Sequence, residues 1–179
     1  IIESMMKASQ KSLYRNSPYF ILWGALLGTG GILETLLRGI PNTWLIWPVV
    51  GIMGGIVSVI YDKREKRQAG HTTAGDRITN FTWLAFGIAA VPAIAICLFQ
   101  EIPPHPFILL LAGAASFVNG GISRFKPFIA GALLMITGSL LLTFAIPLFY
   151  WGAGFGILIY AGYLLPGIIL RKKEHDETE

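Results

Sequence analysis

Six apolar runs of 17–20 residues fill most of the chain between Pro18 and Leu170. A helix rises about 1.5 Å per residue, so about 20 apolar residues cross a hydrocarbon layer of roughly 30 Å. The runs at 18–37, 43–61, 80–99, 106–122, 127–146 and 151–170 each approach or reach that length. They predict an all-α, polytopic integral membrane protein with six transmembrane helices in a compact bundle. Hydrophobic residues make up 54% of the chain and charged residues 13%, more apolar side chain than the interior of a water-soluble globule could hide. The longest connection, 62–79, is too short for a soluble domain. The expected organisation is a segment 1–17, a membrane domain 18–170 and a charged tail 171–179.

The basic residues orient the bundle. Lys7, Lys11 and Arg15 precede the first run; Lys63, Arg64, Lys66, Arg67 and Arg77 lie around the second connection; Arg124 and Lys126 around the fourth; and Arg171, Lys172 and Lys173 follow the sixth run. In a six-span chain these thirteen fall on one side and Arg38 alone on the other. Lys and Arg mark cytoplasmic loops, so both termini are expected in the cytoplasm. Adding or dropping one internal span would destroy the asymmetry, so the count supports the number of spans as well.

The stretch "SVIYDKREKRQAGHTTAGDR", 58–77, is thus the main cytoplasmic loop. Its basic surface of Lys63, Arg64, Lys66 and Arg67 orients the chain. It is also suited to anionic lipid headgroups, at about 1 kcal/mol per basic residue, or to a cytoplasmic protein partner. At the N-terminus Ile2, Met5, Met6, Ser9 and Leu13 share a helical face, with Lys7, Lys11 and Arg15 spaced four apart. An amphipathic helix on the cytoplasmic leaflet is expected, and a partner helix fits the same face.

Helices in lipid associate through close backbone contact, which small residues permit. Gly24 and Gly28, Gly51 and Gly55, and Gly152 and Gly156 form GxxxG pairs on the first, second and sixth runs, one pair being open to self-association as a homo-oligomer. "WGALLGTGG" at 23 and "WGAGFGILI" at 151 share a WGAxxG start, which raises an internal duplication. Pro92 and Pro166 each remove a backbone donor inside a run and predict kinks.

Ionisable groups inside a membrane are functional candidates, and Glu34 is the principal one here. It lies near the outer end of its run with Arg38 at the i+4 position, so an interfacial ion pair is the plain expectation. A substrate or proton role requires partners at similar depth, for which Thr143, Gln100, Glu101 and His105 are the candidates. Asn119 lies at the opposite depth and is expected to bond a neighbouring helix. Tyr160, Thr29, Thr137 and Ser139 are mid-membrane hydroxyls expected to satisfy their own helices.

Enzyme signatures are missing: HExxH, GxSxG, paired intramembrane aspartates and a phosphate-cradling glycine loop do not occur. His71, His105 and His175 fall in different connections or tails, and Cys97 is the lone cysteine. No catalytic residue, cofactor, metal or nucleic-acid partner is expected.

"IIESMMKASQKSLYRNSPYFILWG", "WLIWPVVG" and "GYLLPGIILRKK" resemble a group of small six-span inner-membrane proteins of Bacteroidetes-type bacteria. The resemblance implies a bacterial cytoplasmic-membrane location and the same series of helical hairpins, and carries over no catalytic residue. The functional expectation is a noncatalytic regulatory, sensing or assembly component acting through its basic cytoplasmic face. The alternative is a small oligomeric transporter or channel using Glu34 and a cavity between kinked spans.

Overall fold

The computed structural model describes residues 16–66 and 74–176, with side chains at 16–63 and 76–173. The expected amphipathic segment up to residue 15, Arg67, His71 and the last three residues lie outside the described residues. The side chains of Arg64, Lys66 and His175 do so too. All regular structure among the described residues is helical, and six helices are long and apolar enough to cross a membrane.

The elements are α1 (Ser17–Leu36), a 3-10 turn (Thr43–Leu45) leading into α2 (Ile46–Lys66), α3 (Ala74–Phe99), α4 (His105–Ser123) and α5 (Lys126–Phe144). The sixth span runs through α6 (Trp151–Ile159), a π-turn (Tyr160–Leu164) and α7 (Leu165–Asp176). Pro18, Pro106 and Pro127 sit in the first turns of α1, α4 and α5, where a missing N–H costs nothing. Two corners end in a left-handed residue that is not glycine. Glu101 has φ 56° and Arg124 φ 52°, and the amide of the next residue reaches back to close the helix, Ile102 to Cys97 O at 2.9 Å and Phe125 to Gly120 O at 3.0 Å.

The charged loop is shorter than the apolar pattern suggests. α2 runs on to Lys66 and α3 begins at Ala74, so both helices extend past the apolar stretch into charged sequence. Residues such as Lys, Arg and Glu are good helix formers, and nothing between 61 and 66 breaks the α2 pattern. Pro92 lies inside α3. The π-turn ends two residues before Pro166 and contains Gly162, the residue whose carbonyl a proline at 166 leaves without its helical donor.

Four spans form a close-packed half. α4 packs along α5, and α1 and α5 both pack against the sixth span. The α1 and α6 backbones nearly touch: a Cβ placed on Gly31 would lie 2.5 Å from Gly152 O, and one on Gly156 would lie 2.5 Å from Gly28 O. Gly24 faces the Leu164 backbone, and Gly131 on α5 faces Gly162. The two WGAxxG segments therefore meet face to face.

Gly51 and Gly55 have open space where a side chain would be, and Gly54 between them supplies the α2 contact, against the Trp23 ring. The GxxxG spacing on α2 thus points away from the rest of this chain. α2 leans on α1 and α3 on α4, but α2 and α3 do not pack closely against each other and are the least buried spans. Side chains such as Phe99 and Phe144, 90% and 83% exposed, fit a lipid-facing surface far better than a wet one.

Candidate functional site

Glu34 lies three positions from the N-terminal side of Leu37, the residue that caps α1, where the chain turns back into α2. The turn uses two positive-φ residues, Gly39 (φ 98°) and Asn42 (φ 65°). Thr43 Oγ1 ties it by donating to the carbonyls of Leu37 and Ile40, at 2.9 and 2.7 Å. Trp47 is thereby carried to the depth of Glu34, and its Nε1–H donates to Glu34 Oε2 at 3.0 Å. From the other side the "IPPHP" corner starts α4 at His105, whose Nε2 lies 2.8 Å from the same Oε2. A carboxylate oxygen only accepts, so Nε2 carries the hydrogen.

The rings lock this arrangement. Trp47, His105 and Phe155 pack mutually edge to face with centroids 5.2–5.7 Å apart. His105 is 3% exposed, and its Nδ1 is buried with no hydrogen-bond partner among the described residues. Beside the cluster Thr35 Oγ1 accepts the Ala153 N–H at 2.7 Å, which satisfies one of the amides left open in the first turn of α6.

Arg38 does not pair with Glu34. Its guanidinium lies 5.0 Å above the Phe149 ring and donates to Leu148 O at 3.4 Å. The expected i+4 ion pair gives way because Glu34 faces inward to two N–H donors, while an aromatic face and a carbonyl near the start of α6 receive Arg38.

Asn119 also departs from expectation, since its Nδ2 donates to Ala115 O of its own helix at 2.9 Å, not to a neighbour. Tyr160 does the reverse. Its hydroxyl bonds Thr29 Oγ1 at 2.6 Å across α1 and the sixth span, so neither serves its own helix. Thr137 and Ser139 bond their own helix backbone as expected.

Glu34 and His105 stand at one end of a cavity of about 1570 Å³ that α1, α2, α3, α4 and the sixth span enclose. Typical drug-sized pockets hold about 300–1,000 Å³, so this one exceeds them. Arg38 and Glu101 share the Glu34 end; Asn16, Asp62, Asp76 and Thr79 line the other. Between them the wall is apolar and aromatic, with Trp23, Leu27, Phe86, Ile94 and Ile108. Phe20 closes the far end of the aromatic wall, within 4.6–6.0 Å of Phe128, Tyr163 and Trp83 by ring centroid. Fourteen helix positions separate Phe20 from Glu34, about 21 Å along α1, more than the roughly 15 Å of one hydrocarbon leaflet. α2 and α3 form two of its sides without packing together, so no α2–α3 contact closes the cavity between them.

Among the sequence candidates the structure brings together Glu34 and His105, with Arg38 and Glu101 nearby, and leaves Asn119 and Tyr160 outside. Thr143 turns to its own helix, donating to Ser139 O. Trp47, which is not among the sequence candidates, is the missed site residue. Its depth relative to Glu34 was the available signal, since both flank the same short turn. The chain matches no known protein family, no curated protein and no solved structure.

Proposed function

We propose that the protein is a noncatalytic sensing or regulatory component of a bacterial cytoplasmic membrane, with both termini and its basic loop in the cytoplasm, which binds a bilayer-dissolved ligand between α2 and α3. The observation that carries this reading is the cavity between two loosely attached helices whose connecting segment is the basic loop itself. Occupancy changes the spacing of α2 and α3, and Lys63, Arg64, Lys66 and Arg67 lie on or directly after α2, where that spacing is presented to a cytoplasmic protein or to anionic headgroups.

The test is a distance measurement by spin labels at Ile60 and Phe81, both exposed and on α2 and α3 at the basic end, in a Cys97→Ala background. Reconstitution into nanodiscs with native lipid extract should shift the distance distribution relative to delipidated protein. An unchanged distribution refutes the reading.

A transport reading is supported by a different observation, that the cavity is lined by charged residues at both ends. In liposomes it requires a solute or proton flux that Glu34→Gln abolishes, whereas the sensing reading requires none.

A further inference from the structure

The atoms left open at the Glu34 end define the chemistry of an occupant. Both hydrogen bonds to Glu34 fall on Oε2, and among the described residues Oε1 accepts none. On the ring that holds Glu34, Nδ1 of His105 is buried and, among the described residues, has no hydrogen-bond partner. Trp44 and Trp47 line the same end, and indole faces attract cations, above all amines. Arg38, the guanidinium at that end, is engaged with Phe149 and Leu148 O. Glu101 adds a further carboxylate to the lining. Acceptors and aromatic faces therefore dominate where a head would sit, and a long apolar wall follows.

We propose that the cavity binds a cationic amphiphile, a molecule with a protonated or quaternary amine head and one long apolar chain. The ammonium lies beside Glu34 Oε1 and the faces of Trp44 and Trp47, and the chain runs past Leu27, Ile108 and Phe86 toward Trp23. The proposal rests on the reading that the cavity holds a bilayer-dissolved ligand, and it assigns that ligand's charge. An anionic head of equal chain length meets two carboxylates at that end, Glu34 and Glu101, against the single guanidinium of Arg38, which is turned to Phe149 and Leu148 O. Access is lateral, between α2 and α3, because the chain would already be dissolved in the bilayer those helices face.

Four of the five tryptophans, Trp23, Trp44, Trp47 and Trp83, line the cavity, so indole fluorescence reports its occupancy directly. The full chain in nanodiscs is titrated with hexadecyltrimethylammonium, hexadecanol and hexadecanoate, three heads on one chain length. Saturable quenching by the ammonium at concentrations at least tenfold below those of the carboxylate, weakened at least tenfold by Glu34→Gln, is the expected result. Equal or tighter binding of the carboxylate overturns the proposal, as does a folded Glu34→Gln protein that binds the ammonium as the wild type does.

The comparison of the three heads uses the wild-type chain alone and stands if Glu34→Gln fails to fold. Trp44, 64% exposed at the rim, then serves as the second site, and Trp44→Leu should weaken only the ammonium, severalfold. If hexadecanol or hexadecanoate saturates and the ammonium does not, the assigned charge is wrong and the ligand-binding reading survives. If none of the three saturates, both fall.

Discussion

Replacing Gly31 by Ala separates the close-packed half of the molecule from its open half in a single measurement. The added Cβ would sit 2.5 Å from Gly152 O, where ordinary contact begins at 3.4 Å, so α1 and α6 must move apart by about 0.9 Å. The obstacle is backbone on both sides and no rotamer change relieves it. A gap of that size forfeits about a quarter to a half of the dispersion well for each contact along the seam, and overpacking of this kind typically costs about 1–3 kcal/mol. Gly55→Ala adds the same methyl to open space on α2, where Ala gains about 0.5–1 kcal/mol over Gly within a helix. The two variants should therefore shift the unfolding midpoint in opposite directions when followed by circular dichroism in maltoside micelles. Combining Gly31→Ala with Gly156→Ala should cost less than the sum of the two by at least about 0.5 kcal/mol, because the same seam is opened only once. Equal shifts of the same sign for Gly31→Ala and Gly55→Ala would refute the assignment of α1 against α6 as the tight interface.

Trp47→Phe keeps the ring contacts with His105 and Phe155 but removes the N–H to Glu34. A bond to a charged group is worth about 1.5–3 kcal/mol when buried, and the partial exposure of Glu34 brings the expected loss in thermal unfolding to about 1 kcal/mol. Tyr160→Phe deletes the interhelical bond to Thr29 and should cost about 0.6 kcal/mol, measurable in the same assay; no loss would mean that Thr29 finds a partner on its own helix. Arg124→Gly relieves a left-handed non-glycine residue and should stabilise by about 1 kcal/mol, a sign that fails if the Arg124 side chain itself holds the corner.

The spans were legible because a bilayer imposes length and hydropathy on each helix independently of its neighbours. Apolar pattern located all six, and the prolines at 18, 106 and 127 marked three of the starts. Which glycines pack was less legible: Gly24, Gly28, Gly152 and Gly156 meet other helices, Gly51 and Gly55 do not, and Gly54 carries the contact in their place. Spacing places two glycines on one helix face but does not say whether a partner lies opposite. The polar side chains show the same limit. In sequence terms Glu34 has Arg38 by helical spacing and Thr143, Gln100, Glu101 and His105 by depth, and the choice among these and Trp47 depends on how α1 rotates about its axis. That rotation follows from the α1–α6 seam, a tertiary fact. Asn119 and Tyr160 exchange roles for the same reason, one facing its own helix carbonyl and the other a neighbour's hydroxyl.

Tight packing and exposure fall on different helices, and the site joins them. Glu34 and His105 belong to α1 and α4, which are held in the half where backbone meets backbone; Trp47 belongs to α2, which is mostly exposed. At the basic end α2 is attached to α1 by the Trp23–Ser58 hydrogen bond of 3.1 Å and by Tyr19 against Tyr61, with ring centroids 5.1 Å apart. A helix fastened at its two ends by a few polar and ring contacts, with little buried surface between, opens at lower cost than the rest of the fold. On the proposed reading, a head beside Glu34 Oε1 would act next to the fastening at one end, and a chain lying against Trp23 would act on the fastening at the other. The two fastenings lie on the same continuous element, because α2 runs unbroken from Ile46 to Lys66 and ends in the charged sequence that follows Asp62. On that reading, the basic residues would stand at the end of a lever whose fulcrum is the packed half of the bundle.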